Sequence, residues 1–115
     1  MNRYRYVRLK GGHMTHTGRA RGAALTAKMS AFFKIMADET RLRILTELLE
    51  SSLCVTHICE RLDMSQSAIS HQLALLRKAD LVRVTRKGKS VVYSISDEHV
   101  RLMLDMALLH VAEEE

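Results

Sequence analysis

The C-terminal stretch of the sequence carries potential metal ligands at both of its ends. Asp97 and His99 begin a predicted helix, and His110 and Glu113 end it. At ~1.5 Å of rise per residue, His99 and His110 lie roughly 16 Å apart, so one helix cannot close all four ligands around one ion. At ~100° per residue, His110 returns to within about 20° of the face of His99, and Glu113 lies roughly 60° away.

A second copy of this helix, laid antiparallel, brings the ligands together. In an antiparallel pair, a residue of one helix lies level with a residue of the other when their two numbers add up to a constant. The sum is 210 for Asp97 with Glu113 and 209 for His99 with His110, so all four ligands meet at one level. Two carboxylates and two imidazoles suit zinc in a tetrahedral shell. The spacing therefore predicts a homodimer with a zinc site at each end of the helix pair. The alternative is two hydrogen-bonded histidines in a dimer seam without metal.

The positive charge of the chain has two separate sources. Residues 1–22 hold six bases and no acid, whereas residues 23–115 hold 12 bases and 13 acids, a net charge of −1. Global basicity is therefore no argument that the folded part binds nucleic acid. Residues 77–89, however, hold six bases against one acid, Asp80, and such local clustering indicates a basic patch.

Length and composition limit the class of protein. The chain has 115 residues, 47% of them hydrophobic, which is enough for one small core. There is no apolar run of the ~18 residues that a membrane span needs, and no signal peptide is visible, so we expect a cytoplasmic protein with no membrane partner. Cys54 and Cys59 are expected to be reduced thiols.

The first 22 residues differ from the rest in pattern. They lack a hydrophobic period and contain four glycines, which predicts a flexible basic arm followed by one domain over residues 23–115. The pair His13-Met14 after two glycines is typical of a cloning junction, so we expect the natural chain to begin at Met14.

Beyond the arm, hydrophobic periodicity predicts four helices, then a β-hairpin, then the C-terminal helix. Asp38 and Ser65 are suited to cap the second and fourth helices, and Gly88 is expected at the hairpin tip. The fold class is therefore mainly α with a β-hairpin, in the order α-α-α-α-β-β-α. Two short helices joined by a tight turn and followed by a hairpin describe a winged helix-turn-helix.

The fourth predicted helix, from Gln66 to Ala79, has one apolar and one polar face. Short polar groups fit base edges in a major groove, whereas Arg and Lys suit phosphates. The bases of the hairpin suit phosphate or minor-groove contacts. A solvated helix face is the alternative explanation of the polar side. The predicted DNA-binding residues are Gln66, Ser67, Ser70, His71, Arg77, Lys78, Arg86, Lys87 and Lys89.

Four segments resemble the ArsR/SmtB family of metal-sensing repressors. They are Ala37-Asp38-Glu39-Thr40-Arg41-Leu42-Arg43-Ile44-Leu45, Leu53-Cys54-Val55, Ser65-Gln66-Ser67-Ala68-Ile69-Ser70-His71-Gln72-Leu73, and the terminal Asp97-x-His99 with His110-x-x-Glu113. The resemblance implies a winged-helix dimer that occupies operator DNA and leaves it when metal binds. It further implies that Asp97, His99, His110 and Glu113 hold zinc, with cobalt or nickel as other candidates. It also implies that His110 connects to a backbone carbonyl near Asp80.

A second metal site of that family uses cysteines of the third helix and ligands from the N-terminal arm. Here Thr56 stands at the second cysteine position, so only His13, His16, Cys54 and His57 remain as possible ligands. The simpler interpretation is that Cys54 is a small, buried apolar residue and that His57 lies on the surface. Two rival functions stay open: a metal-independent repressor, and a redox or sulfide sensor using Cys54 and Cys59. An enzyme is not expected, because no nucleophile–base set is present.

Overall fold

The computed structural model describes residues 19–113, with side chains from residue 21 onward. The elements follow the predicted order: α1 (Arg19–Met36), α2 (Glu39–Glu50), α3 (Val55–Leu62), α4 (Gln66–Lys78), β1 (Val82–Lys87), β2 (Ser90–Ile95) and α5 (Glu98–Ala112). The chain therefore has the mainly α architecture with a hairpin that the sequence predicts. No helix in this part of the chain is both long and apolar enough for a membrane crossing.

The described residues divide into two compact units with their boundary after Lys34. The described part of the first unit is residues 19–34, which belong to α1. The predicted boundary between arm and domain at residue 22 thus falls inside a helix, because the alanine-rich segment continues the helix backwards across Gly22. Met14, His13 and His16 lie outside the described residues, so the predicted chain start and the predicted second metal site stay predictions.

Side-chain caps fix where three of the helices begin. Asp38 accepts a hydrogen bond from the Arg41 N–H at 3.0 Å, and Ser65 accepts one from the Ala68 N–H at 3.2 Å. Asp97 accepts one from the Val100 N–H at 3.1 Å. Each cap satisfies one of the N–H groups that a helix N-terminus leaves without a partner. The caps predicted at Asp38 and Ser65 are confirmed.

The core of the second unit lies among α2, α3, α4, the base of the hairpin and the first half of α5. Its members recur at three- and four-residue spacing on the helices, so each helix turns one stripe inward. Truncating such a side chain costs about 2–5 kcal/mol, which makes this core the support of every surface residue discussed below. The side chains with under 2% exposure are Ile44, Leu45, Leu48, Ile58, Ile69, Leu73, Leu76, Leu81 and Val82.

The hairpin pairs β1 with β2 in antiparallel register from Val82 opposite Ile95 to Lys87 opposite Ser90. This leaves a two-residue turn in which Gly88 has φ +63°, a conformation that glycine adopts without strain. The predicted glycine tip is thus confirmed. Leu53 adds an isolated antiparallel bridge to Tyr93, with hydrogen bonds of 2.8 and 3.0 Å between their backbones.

Candidate DNA-reading face and metal-ligand pairs

Helix α4 has the two faces that its sequence predicts. Ile69, Leu73 and Leu76 are buried, and they fix the rotation of the helix. The opposite face is exposed and begins with uncharged polar groups and ends in two bases. Its exposed members are Gln66, Ser67, Ser70, His71, Ala74, Arg77 and Lys78. The structure therefore brings these predicted residues onto one accessible face, with side chains of the kind that read base edges.

The wing, defined as β1, β2 and their turn, presents the other predicted bases. Arg86, Lys87 and Lys89 are all exposed and lie at or next to the turn. No salt bridge within the described residues involves them. Their positive charge is therefore not neutralised locally and is available for a polyanion.

A side chain outside the predicted face holds α4 in place. The guanidinium of Arg41 on α2 donates from Nη1 to Oε1 of Gln72 on α4 at 2.8 Å, and from Nε to the carbonyl of Ile35 at 2.5 Å. The Arg41 side chain is only 15% exposed. The sequence did not predict this contact, because Arg41 and Gln72 are 31 residues apart and belong to no motif that pairs them.

A hollow of about 450 Å³ lies between α4 and the wing. Ser70, Leu73, Ala74, Arg77 and Lys78 line it from α4, and Tyr93 lines it from β2. Sequence reasoning placed Ser70, Arg77 and Lys78 on the DNA-facing side but missed Tyr93. The alternation of β2 gave no sign that this aromatic ring meets the recognition helix rather than solvent.

The first predicted ligand pair lies at the start of α5. Nδ1 of His99 is 3.5 Å from Oδ1 of Asp97, and the two side chains are 95% and 52% exposed. Oδ1 of Asp97 also accepts the capping hydrogen bond from Val100. Both contacts use Oδ1, so Oδ2 is the oxygen that Asp97 can offer to an ion. An exposed imidazole beside a carboxylate offers two ligands of the kinds that zinc binds.

The second predicted pair lies at the other end of the same helix. His110 is in the last turn of α5 and Glu113 is its C-terminal cap residue, and both are exposed. Within residues 19–113, no three His, Cys, Asp or Glu side chains of one chain come together as a metal-binding group. The structure thus separates the two pairs within one chain, as the helix geometry requires.

Between the two pairs, α5 exposes an apolar surface. Val100 and Leu104 pack into the core, but Leu102, Met106 and Leu109 are 53–59% exposed at spacings of four and three residues. This spacing places them in one stripe along the helix. A contiguous apolar stripe on a small protein marks an interaction surface.

The residue before Asp97 connects the start of α5 to the end of α4. The hydroxyl of Ser96 donates to the carbonyl of Asp80 at 2.7 Å, and the Ser96 N–H donates to the carbonyl of Leu81 at 3.1 Å. Asp80 terminates the turn after α4 in the left-handed region, with φ +61°. This position is unfavourable for a residue with a Cβ, so the surrounding hydrogen bonds are needed to hold it.

The cysteine region is less organised for binding. Cys54 caps α3 without a side-chain hydrogen bond, and both Cys54 and Cys59 are free and half-buried. His57 is exposed on the same helix. The simpler interpretation of His57 as a surface residue agrees with this exposure, and Cys54 is less buried than we expected. The arm residues His13 and His16 lie outside the description, so the second metal site stays a prediction.

The fold and the exposed face of α4 define a class of protein, the winged helix-turn-helix transcriptional regulators. The solved homodimeric winged helix-turn-helix DNA-binding domain Mb0332 from Mycobacterium bovis is similar over 88% of this chain and 93% of its own, with 27% identity and a TM-score of 0.78. Reduced HlyU from Vibrio cholerae is similar over 73% of this chain and 88% of its own, with 38% identity and a TM-score of 0.67.

The chain belongs to the ArsR family. Residues 38–84 match the family described as bacterial regulatory protein, arsR family. The transcriptional regulator NmtR of Mycobacterium tuberculosis is 44% identical over 84 residues, which are 73% of this chain and 70% of the relative. The predicted family and fold class are thereby confirmed, as is the expectation of a regulator rather than an enzyme.

Two further relatives bear on what such proteins do. A transcriptional repressor SmtB homolog of Synechocystis is 38% identical over 75% of this chain and 65% of its own length. A cadmium resistance regulatory protein, a CadC homolog of Staphylococcus aureus, is 38% identical over 70% of this chain and 68% of its own. Relatives of this chain in the ArsR family therefore include a transcriptional repressor and a regulator of cadmium resistance.

Proposed function

We propose that the protein is a cytoplasmic, zinc-responsive repressor that binds operator DNA as a metal-free homodimer and releases it when the ion binds at the dimer interface. Cobalt or nickel ions fit the same ligands. The observation that carries the proposal is the placement of two ligand pairs at opposite ends of one exposed helix, Asp97 with His99 and His110 with Glu113.

The dimer follows from the apolar surface of α5. Leu102, Met106 and Leu109 remain more than half exposed in one chain, and their burial would favour association by about 25 cal/mol per Å² of apolar surface. A second copy of α5 offers a matching stripe under two-fold symmetry. The homodimeric state of the similar Mb0332 domain supports this arrangement.

The ligand set fits a divalent ion of the zinc type. Two imidazoles and two carboxylates from two chains satisfy four-coordination, and bound metal would join the two α5 helices at both ends. Oδ2 of Asp97 is available for this role, because the helix cap and the His99 contact use Oδ1. With all four positions taken by protein, the site has a structural rather than a catalytic character.

The link from the metal site to the DNA-reading helix runs through Ser96. This residue precedes the ligand Asp97 and donates two hydrogen bonds to the turn that ends α4, one each to Asp80 and Leu81. A displacement of Asp97 is therefore passed to the end of α4 within the same chain. His110 of a metal site would offer its second ring nitrogen to the same region. A coupling of about 1–3 kcal/mol is the usual size for such regulation.

Two rival functions differ from this proposal in what they bind. A metal-independent repressor would use α5 for dimerisation alone. A thiol sensor would depend on Cys54 and Cys59, for which the similarity to the reduced HlyU structure is the supporting observation. Cys54 is the N-cap of α3 and Cys59 lies five residues further along the helix. This spacing places them about 140° apart around the helix axis, which is unfavourable for a direct disulfide.

A cobalt titration tests the proposed site. The parent dimer should bind two cobalt ions with the absorption of tetrahedral coordination. His110→Ala should lose both ions, because each site takes ligands from both chains, while Cys54→Ser should titrate like the parent. Full tetrahedral absorption in His110→Ala would exclude the α5 site, and its loss in Cys54→Ser would move the site to α3.

A zinc titration tests the regulation. An operator is first selected by the protein from a library of random duplexes and labelled, and zinc is then added to its complex with the parent protein. We expect release of DNA at saturating zinc in the parent and retention in His110→Ala. Retention in the parent would favour the metal-independent repressor. Release by oxidant that requires Cys54 and Cys59 would favour the thiol sensor.

A further inference from the structure

The hollow between α4 and the wing has the composition of an anion site. Arg77 and Lys78 supply two positive charges, Ser70 and Tyr93 supply two hydroxyl groups, and Leu73 and Ala74 complete the lining with apolar surface. All six lining residues are neutral or basic. Charge-assisted hydrogen bonds from such groups are the means by which proteins hold phosphate.

The position of the hollow indicates that its phosphate ligand belongs to a DNA backbone. A recognition helix occupies the major groove, and a basic wing lies at the adjacent minor groove. In a DNA duplex, these two grooves are separated by one phosphodiester strand. A hollow between α4 and the wing therefore lies on the path of that strand, with α4 on one side and β2 on the other.

Tyr93 is held unusually firmly for a contact residue. Its backbone pairs with Leu53 through hydrogen bonds of 2.8 and 3.0 Å, and it lies opposite Val84 in the hairpin register. The side chain is half-buried. Little backbone freedom remains to be lost when the hydroxyl meets a ligand, which lowers the entropic cost of binding.

We propose that this hollow is a seat for the DNA backbone, and that Tyr93 donates a hydrogen bond to a phosphate oxygen of the strand between the two grooves. Arg77 and Lys78 neutralise the same stretch of backbone. The inference rests on the proposed DNA binding, but it is independent of dimer geometry and of metal. Its functional consequence is affinity for the backbone of any duplex, because a phosphate contact carries no sequence information directly.

Tyr93→Phe isolates the hydroxyl, because it keeps the ring, the backbone pairing and the charge. We expect it to weaken binding to the selected operator and to a mixed-sequence duplex by a similar factor, roughly a hundredfold or more for a dimer that loses two hydrogen bonds to charged oxygens. The slope of log affinity against log salt should stay unchanged, since no cation is removed. Arg77→Gln should reduce that slope by about one ion for each phosphate that the guanidinium no longer neutralises.

Ser94→Ala is the matched control, since it removes a hydroxyl from the opposite face of the same strand, where Ser94 faces Arg83 in the register. It should bind both duplexes like the parent. A thermal melt followed by circular dichroism verifies that each variant is folded at the assay temperature.

Methylphosphonate substitution, one linkage at a time along the selected operator, identifies the partner atom. At one linkage in each half-site, the neutral backbone should weaken the parent by a larger factor than Tyr93→Phe, because the variant loses only the contacts of Arg77 and Lys78 to that phosphate. If Tyr93→Phe instead changes the preference between operator and mixed-sequence DNA, the hollow reads bases and the inference is wrong. Equal affinities of parent and Tyr93→Phe would also overturn it, whereas a parent that binds neither duplex would overturn the proposed function itself.

Discussion

Asp97 caps α5 and is also a proposed metal ligand, with a different oxygen of its carboxylate for each role. Oδ1 caps α5 by accepting the Val100 N–H and contacts His99, which leaves Oδ2 for the proposed ion. A ligand that is also an N-cap ties the position of the ion to the first turn of the helix. The two purposes are separable by substitution, because asparagine caps helices about as well as aspartate but lacks the negative charge.

We therefore predict that Asp97→Asn retains stability and loses metal affinity, whereas Asp97→Ala loses both. The alanine variant should lower the free energy of unfolding by about 1 kcal/mol, and the asparagine variant by only a few tenths. Urea denaturation without metal measures the first quantity, and a cobalt competition titration measures the second. Parent-like cobalt affinity in Asp97→Asn would remove Asp97 from the ligand set.

Ser96 is the residue through which the start of α5 touches the turn after α4. We predict that Ser96→Ala binds zinc with parent stoichiometry and affinity but shows a smaller zinc-driven loss of operator affinity. The physical reason is the removal of the 2.7 Å hydrogen bond to the Asp80 carbonyl, whose turn is held at positive φ. Operator affinity with and without saturating zinc gives the coupling. Full coupling in this variant would show that the signal bypasses Ser96.

At the scale of elements, α4 is held by a side-chain hydrogen bond from α2 as well as by its buried apolar face. Arg41 joins Gln72 on α4 to the carbonyl of Ile35, so one half-buried guanidinium connects three parts of the chain. A hydrogen bond from a charged donor contributes about 1.5–3 kcal/mol when it is shielded from water. This clamp therefore adds to the buried side chains of α4 in fixing the orientation of the exposed face.

Arg41→Ala should lower the free energy of unfolding by about 2 kcal/mol and weaken operator binding more than mixed-sequence binding, because a misplaced helix fails first at the base edges. Arg43→Ala, which removes an exposed arginine from the same helix, is the control and should change stability by less than about 0.5 kcal/mol. Chemical denaturation and anisotropy titrations measure the two effects. Unchanged specificity in Arg41→Ala would limit the clamp to stability.

At the scale of the whole molecule, the proposed function requires two copies, since neither the proposed metal site nor a two-fold operator contact is complete in one chain. We predict that Met106→Glu gives monomers at concentrations where the parent is dimeric, because it places a charge within the exposed apolar stripe of α5. Analytical ultracentrifugation measures the state. The monomer should also lose tetrahedral cobalt absorption.

Thr46→Glu adds the same charge at an exposed site of α2 and is the matched control, expected to remain a dimer with parent cobalt binding. A dimeric Met106→Glu variant would place the interface elsewhere. A monomeric variant that retained tetrahedral cobalt would show that a single chain completes the site.

Local patterns in the sequence were sufficient to predict the order of the helices and strands and the caps of α2 and α4. The 3.6-residue period separated the buried side of α4 from its exposed side, and Asp38, Ser65 and Gly88 lie where their backbone preferences predict. The spacing of Asp97, His99, His110 and Glu113 follows from helix geometry alone, which is why the separation into two pairs was predictable. Helix α1 begins at Arg19 and continues through Gly22, so it includes four residues that were assigned to the arm.

Only the tertiary structure decided which distant residues meet. The contacts of Arg41 with Gln72, Ser96 with Asp80, and the ring of Tyr93 with the hollow beside α4 join positions 31, 16 and about 20 residues apart. Periodicity specifies which face of an element turns inward, but it contains no information on which side chain of another element lies opposite. That choice depends on how the buried stripes of α2, α3, α4 and the hairpin pack together, because close packing of the core fixes their relative positions.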